Sequence, residues 1–101
     1  MSHLEVANTI LDQLGGRRFV LVTGAKNLMA SPNECGALTF QINGRGGVNR
    51  VRITLTAADN YTLEFMKVRG CKVTTAHKAE GVYCDMLHDV FEAQTGLYAS
   101  L

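Results

Sequence analysis

Two arginines alternate with aliphatic residues in "NRVRITL" at 49–55: Arg50 and Arg52 on one parity, Val51, Ile53 and Leu55 on the other. In an extended segment successive side chains point to opposite faces, so this pattern gives one apolar face and one cationic face. Guanidinium groups on a rigid floor, with threonine hydroxyls beside them, have the chemistry to hold phosphate oxygens. The same parity extended along the following segments adds Thr54 and Thr56, then Thr62, Glu64, Met66 and Val68, then Lys72, Thr74, Ala76 and Lys78. Arg18 joins this face if Phe19 and Leu21 point to the core. Glu64 falls in the middle and can neutralise part of the charge through cross-strand pairs. The face has no aromatic residues of the kind on which single-stranded bases stack. A solvated face with charge pairs therefore stands beside an anion-binding or protein-binding one.

Other chemistries are weakly supported. Lys26 follows Gly24 in "TGAKNLMASPNECG", but neither G-x-x-x-x-G-K-[ST] nor G-x-G-x-x-G occurs, so no nucleotide cofactor is expected. Cys84 and His88 have the four-residue spacing of helical metal ligands, with Cys71 and His77 as conceivable partners, yet no recognised zinc pattern is present. His77 falls on the apolar parity beside Tyr61, where a structural histidine is the ordinary outcome. No serine lies in G-x-S-x-G, the acidic residues are scattered, and Cys35 beside Gly36 is a bare minimum for thiol chemistry. No catalytic residue, metal site or cofactor is assigned, and an enzyme is not expected.

With 101 residues the chain is sized for one domain, and 47% hydrophobic against 19% charged residues is ordinary globular composition. The net charge of +1 gives no global field, so any attraction to nucleic acid has to be local. Apolar runs are too short to span a bilayer, and the first residues lack the pattern of a signal peptide. Three cysteines without C-x-x-C spacing suit a reducing cytoplasm.

The elements that would carry the cationic face can be read in order. Residues 2–14 repeat apolar residues at Leu4, Ala7, Leu11 and Leu14, which predicts a helix. Ser2 and Glu5 would form its capping box, and Gly15-Gly16 its stop. "RRFVLVTG" at 17–24 reads as a strand by composition, 25–36 as a long irregular loop, 37–42 as a second strand and 43–47 as a glycine-rich turn. Residues 48–57 are the third strand. Three-residue loops at Ala58–Asn60, with Asn60 left-handed, and at Val68–Gly70 would set Leu55 opposite Leu63 and Phe65 opposite Val73. Residues 81–95 read as a helix with Val82, Tyr83, Met86, Leu87, Val90 and Phe91 on its apolar half. Gly96 is its stop, and Leu97 and Tyr98 dock behind it. The expected fold is a two-layer α+β domain: a five-stranded antiparallel meander with N- and C-terminal helices on one face (α-β-β-β-β-β-α).

The stretches "ILDQLGGRRFVLVTGAKNL", "VNRVRITLTAADNYTLEF" and "GVYCDMLHDVFEAQTGLYASL" together resemble a family of small proteins encoded by tailed bacteriophages and prophages, with "TGLYASL" the most distinctive piece. The resemblance covers most of the chain, loop 25–36 excepted, and carries no functional residues over. It implies a setting: the cytoplasm of a bacterial host, and an accessory role in phage DNA metabolism or in countering the host. The expected function is nucleic-acid binding by the basic sheet face. Its rival is inhibition or modulation of a host or antiviral-defence protein. The expected contact residues are Arg18, Lys26, Arg50, Arg52, Lys72 and Lys78.

Overall fold

A computed structural model of the chain describes residues 3–32 and 35–96, the side chains of His3 and Arg45 excepted. The elements run α1 (His3–Leu14), α2 (Gly16–Thr23), β1 (Lys26–Ser31), β2 (Ala37–Gln41), β3 (Arg50–Leu55), β4 (Tyr61–Arg69), β5 (Lys72–Val82) and α3 (Leu87–Thr95), with 3₁₀ turns at Arg45–Gly47 and Cys84–Met86. The five strands pair antiparallel in sequence order, β1-β2-β3-β4-β5. The α+β meander with helices at both ends is therefore the fold of the chain.

All three helices cover one face. Val6, Ile10 and Leu14 of α1, Phe19 of α2, and Leu87 and Phe91 of α3 share one core with Leu38, Phe40, Val51, Ile53, Leu63 and Phe65 of the sheet. Phe19 meets Phe40 edge-on at 5.5 Å between centroids and Phe91 at 5.1 Å, tying both later helices to β2. Gly36, just before β2, has φ +119°, and a Cβ there would sit 2.8 Å from the Cβ of Val6. Only glycine lets α1 lie this close to the strand.

Residues 17–24 are a helix, not a strand. Phe19 and Thr23, one turn apart, are its buried residues, and the Thr23 hydroxyl donates to the Phe19 carbonyl at 2.7 Å. A strand would have buried Leu21 with Phe19, whereas Leu21 is 76% exposed. With Phe19 and Leu21 on one parity and Val20 and Val22 on the other the segment has no clean alternation, so packing of Phe19 into the aromatic cluster overrides its β-forming composition. The sheet position passes to Lys26–Ser31. That stretch is polar and has the composition of a loop, but an edge strand needs only Leu28 and Ala30 turned towards the core.

The hairpins also differ in detail. In β3–β4, Leu55 pairs with Tyr61 and Ile53 with Leu63, two residues from the expected partners and hence with every side chain on the expected face. Asp59, at φ 64°, takes the left-handed position instead of Asn60. Asn60 instead accepts at 2.7 Å from the Thr56 hydroxyl. In β4–β5 the turn is Gly70-Cys71, with Gly70 left-handed as expected and Arg69 paired to Lys72. Phe65 faces His77, not Val73, and the register shifts between Phe65 and Met66 because Ala76 is an extra residue on β5. The last helix starts at Leu87, since β5 runs on to Val82. Tyr83 and Met86 are consequently outside its apolar face, at 56% and 45% exposure. Leu87 and Phe91 are buried and Gly96 closes the helix at φ 72°. The capping role of Ser2 and the docking of Leu97 and Tyr98 fall outside the described residues.

Helix and strand at 17–24 can be told apart by one pair of variants. Phe19→Ala should lower stability by about 3–5 kcal/mol, while Leu21→Ala should change it by less than about 0.5 kcal/mol, both from chemical denaturation. Comparable losses at both positions would restore the strand.

Candidate functional site: the basic end of the sheet

No helix lies over the second face of the sheet among the described residues, and this face carries Lys26, Arg50, Arg52 and Lys78. Cross-strand rows define it. Lys26 pairs with Gln41, Gln41 with Arg50 and Arg50 with Met66, while Met29, Thr39, Arg52, Glu64 and Lys78 form the next row. Val51 and Ile53, fully buried, fix the opposite parity. Arg50, Arg52 and Lys78 thus stand where the alternation predicts, and Lys26 joins them from a strand rather than a loop.

Two of these charges are spoken for. Arg52 lies 3.6 Å from Glu64 and Lys78 lies 3.3 Å from Glu80. Lys26 and Arg50 form no ion pair among the described residues. They flank a cleft of about 440 Å³ whose wall includes Gln41, Asn43, Asn49 and Val68. Its rim is stiffened locally: Gln41 accepts from the Asn27 amide at 2.8 Å. Asn49 bridges β4 by accepting from the Val68 N–H and donating to the Val68 carbonyl, both at 2.8 Å.

Two expected residues are elsewhere. Arg18 is exposed on α2, on the helical side of the molecule, because its segment is not a strand. Lys72 lies beyond the Ala76 bulge, which reverses parity, so it pairs with Arg69 and turns to the helix side with Lys67 and Thr74. There it meets two cations that sequence alternation missed. Lys67, Arg69, Lys72 and Thr74 line a hollow of about 260 Å³. The Arg69 guanidinium and the Lys67 methylenes pass within 4 Å of where a Gly47 side chain would begin. A signal for this cluster was present: segments 41–50 and 65–78 contain Arg45, Arg50, Lys67, Arg69, Lys72 and Lys78 and no Asp or Glu. The meander brings the β2–β3 connection, the β4–β5 turn and the start of β1 to one end of the sheet.

The opposite end differs in character. Gln13, Ala58, Asp59, Tyr61, Tyr83 and Cys84 surround a cleft of about 410 Å³. Burial pushes the Tyr61 phenol up from its ordinary value, with Cys84 and Asp59 adding, against a 2.6 Å hydrogen bond donated to Gln13. His77 is exposed beside the Phe65 ring, not buried next to Tyr61. His88 donates from Nε2 to the Leu14 carbonyl and so braces α3 against α1. Among the described residues no three His, Cys, Asp or Glu side chains gather to hold a metal ion, the three cysteines are exposed and unpaired, and no helix is long and apolar enough to cross a membrane. Comparisons of the chain with family models, with curated proteins and with solved structures give no match.

Asn49→Ala should leave the Val68 N–H and the Val68 carbonyl without their side-chain partner. The expected cost is about 1–3 kcal/mol, with faster amide exchange at Val68 and its neighbours by NMR. Tyr61 gives a pH test. Its raised value means that the folded state holds the phenolic proton more tightly than the unfolded chain does. The stabilisation this brings is complete below about pH 10, the unfolded value, and is lost as pH rises through the higher folded value. Tyr61→Phe should flatten that alkaline decline in melting temperature relative to the parent.

Proposed function

We propose that the protein is a small non-enzymatic domain that binds the phosphate backbone of nucleic acid at the basic end of its sheet. The observation that carries this is the segregation of charge. Lys26 and Arg50 on one face and Lys67, Arg69 and Lys72 on the other converge on one end, built from segments without a carboxylate. With a net charge of only +1, this concentration is a local field, not a reflection of composition. Arg50 and Lys26 have no acid partner among the described residues and flank an open cleft, so they can exchange counterions for phosphates without breaking an internal ion pair. In the bacterial cytoplasm that the resemblance to tailed-phage proteins implies, such a domain would serve phage DNA metabolism.

A protein ligand is the second reading, supported by Tyr83 and Met86, which leave apolar surface exposed at the opposite end. A host or defence factor bound there would be modulated by contact, not by chemistry.

Neutralising Lys26 and Arg50 together, as K26Q/R50Q, separates the two. Arg52 is left in place because Glu64 stands opposite it, and a charge reversal there would set two carboxylates across one strand pair. The variant should keep its melting temperature, since surface changes move stability by less than about 0.5 kcal/mol. Its affinity for polynucleotide should fall, and the log–log salt slope should shrink by about one for each phosphate that is no longer neutralised. No measurable polynucleotide affinity in the parent protein, with nuclease-resistant capture of a single host protein that Tyr83→Ala abolishes, would decide for the second reading.

A further inference from the structure

The β4–β5 hairpin outruns its neighbour. Pairing with β3 ends at Arg50 and Met66, while β4 continues to Arg69 and β5 begins at Lys72. Residues 67–74 are therefore a two-stranded arm past the edge of the sheet, closed by Gly70-Cys71. Asn49 grips it at its base through both backbone groups of Val68, and Gly47 lies under Lys67 and Arg69. One side of the arm carries Lys67, Arg69, Lys72 and Thr74, and the other carries Val68 and Val73, the latter 53% exposed.

We infer that the nucleic acid taken by the basic end is a duplex, and that the β4–β5 arm enters its major groove. This rests on the nucleic-acid reading above and specifies its substrate. A two-stranded ribbon fits a major groove about 12 Å wide. Same-side residues along a strand recur roughly every 6.6–6.8 Å and facing residues stand about 5 Å apart, so Lys67, Arg69 and Lys72 present three cations to one wall of the groove. Lys26 and Arg50, on the other face of the sheet, reach the neighbouring backbone. Single strands are held mainly by stacking bases on aromatic rings. Among the described residues all four phenylalanines and Tyr61 are buried, and Tyr83 lies at the far end of β5. The end has charge and shape for a backbone but no stacking platform.

The test is fluorescence anisotropy of the full chain with a labelled DNA duplex and with each of its separated strands, across a salt series. The duplex should bind several-fold more tightly than either strand. Neutralising the arm as R69Q/K72Q should weaken duplex binding and lower the salt slope by about two, one for each cation. Thermal melting checks that the variant is folded, and K72Q alone, at an exposed position, should give about half the change in slope. Equal or tighter binding of the single strands overturns the duplex assignment. An R69Q/K72Q variant that binds the duplex like the parent overturns the arm's role, and in that case weaker binding by K26Q/R50Q leaves the nucleic-acid reading standing. No binding of either form overturns both.

Discussion

Phe19, Phe40 and Phe91 come from three different elements and form one fully buried cluster, Phe19 meeting the other two edge to face and Phe40 and Phe91 lying tilted to each other. Edge-to-face aromatic contacts add to the large area each ring removes from water. Their consequence here is topological. Phe19 can reach Phe40 and Phe91 only if residues 16–23 coil into a helix on the core side, which pushes the first strand downstream to Lys26–Ser31. Lys26 then becomes the first residue of an edge strand with its side chain on the open face, in a row with Arg50. A hydrophobic contact on one side of the sheet thus decides which cations share the other.

The sequence was most legible where one parity was unambiguous. In β3 the buried residues Val51 and Ile53 alternate with arginines, and the face assignment survives even though the β3–β4 partners are displaced by two residues. It was least legible where both parities were apolar. "FVLV" fits a strand or a helix equally, and only a long-range contact from Phe19 chooses between them. "KNLMAS" has the opposite difficulty. Its composition resists strand formation, but pairing along one side of β2 supplies what propensity does not.

For the site, alternation was a sound guide as far as it remained uninterrupted. It placed Arg50, Arg52 and Lys78 together, and failed at Lys72 because a bulge leaves no signature in residue type beyond a small residue such as Ala76. It also passed over Lys67 and Arg69, whose parity is that of the core. Past Arg50, the first residue of β3, there is no core left for that parity to face. Both arginines of "NRVRITL" lie on the open face, but they are not equivalent. Arg52 is matched to Glu64 as part of the fabric of the sheet, and Arg50 opens onto the cleft at its end.

Ala76 has a wider consequence. Because it is one residue too many, β5 changes frame between Lys78 and Lys72: the first is read on one side of Ala76 and the second on the other. The distribution of charge between the two faces is thereby encoded in strand length and not only in residue identity. Removing Ala76 would leave Lys72 paired with Arg69 and on the helix side, now by plain alternation from His77. The bulge is thus a spacer: Lys72 and Lys78, six residues apart, would share a face by alternation, and the extra residue sets them on opposite ones.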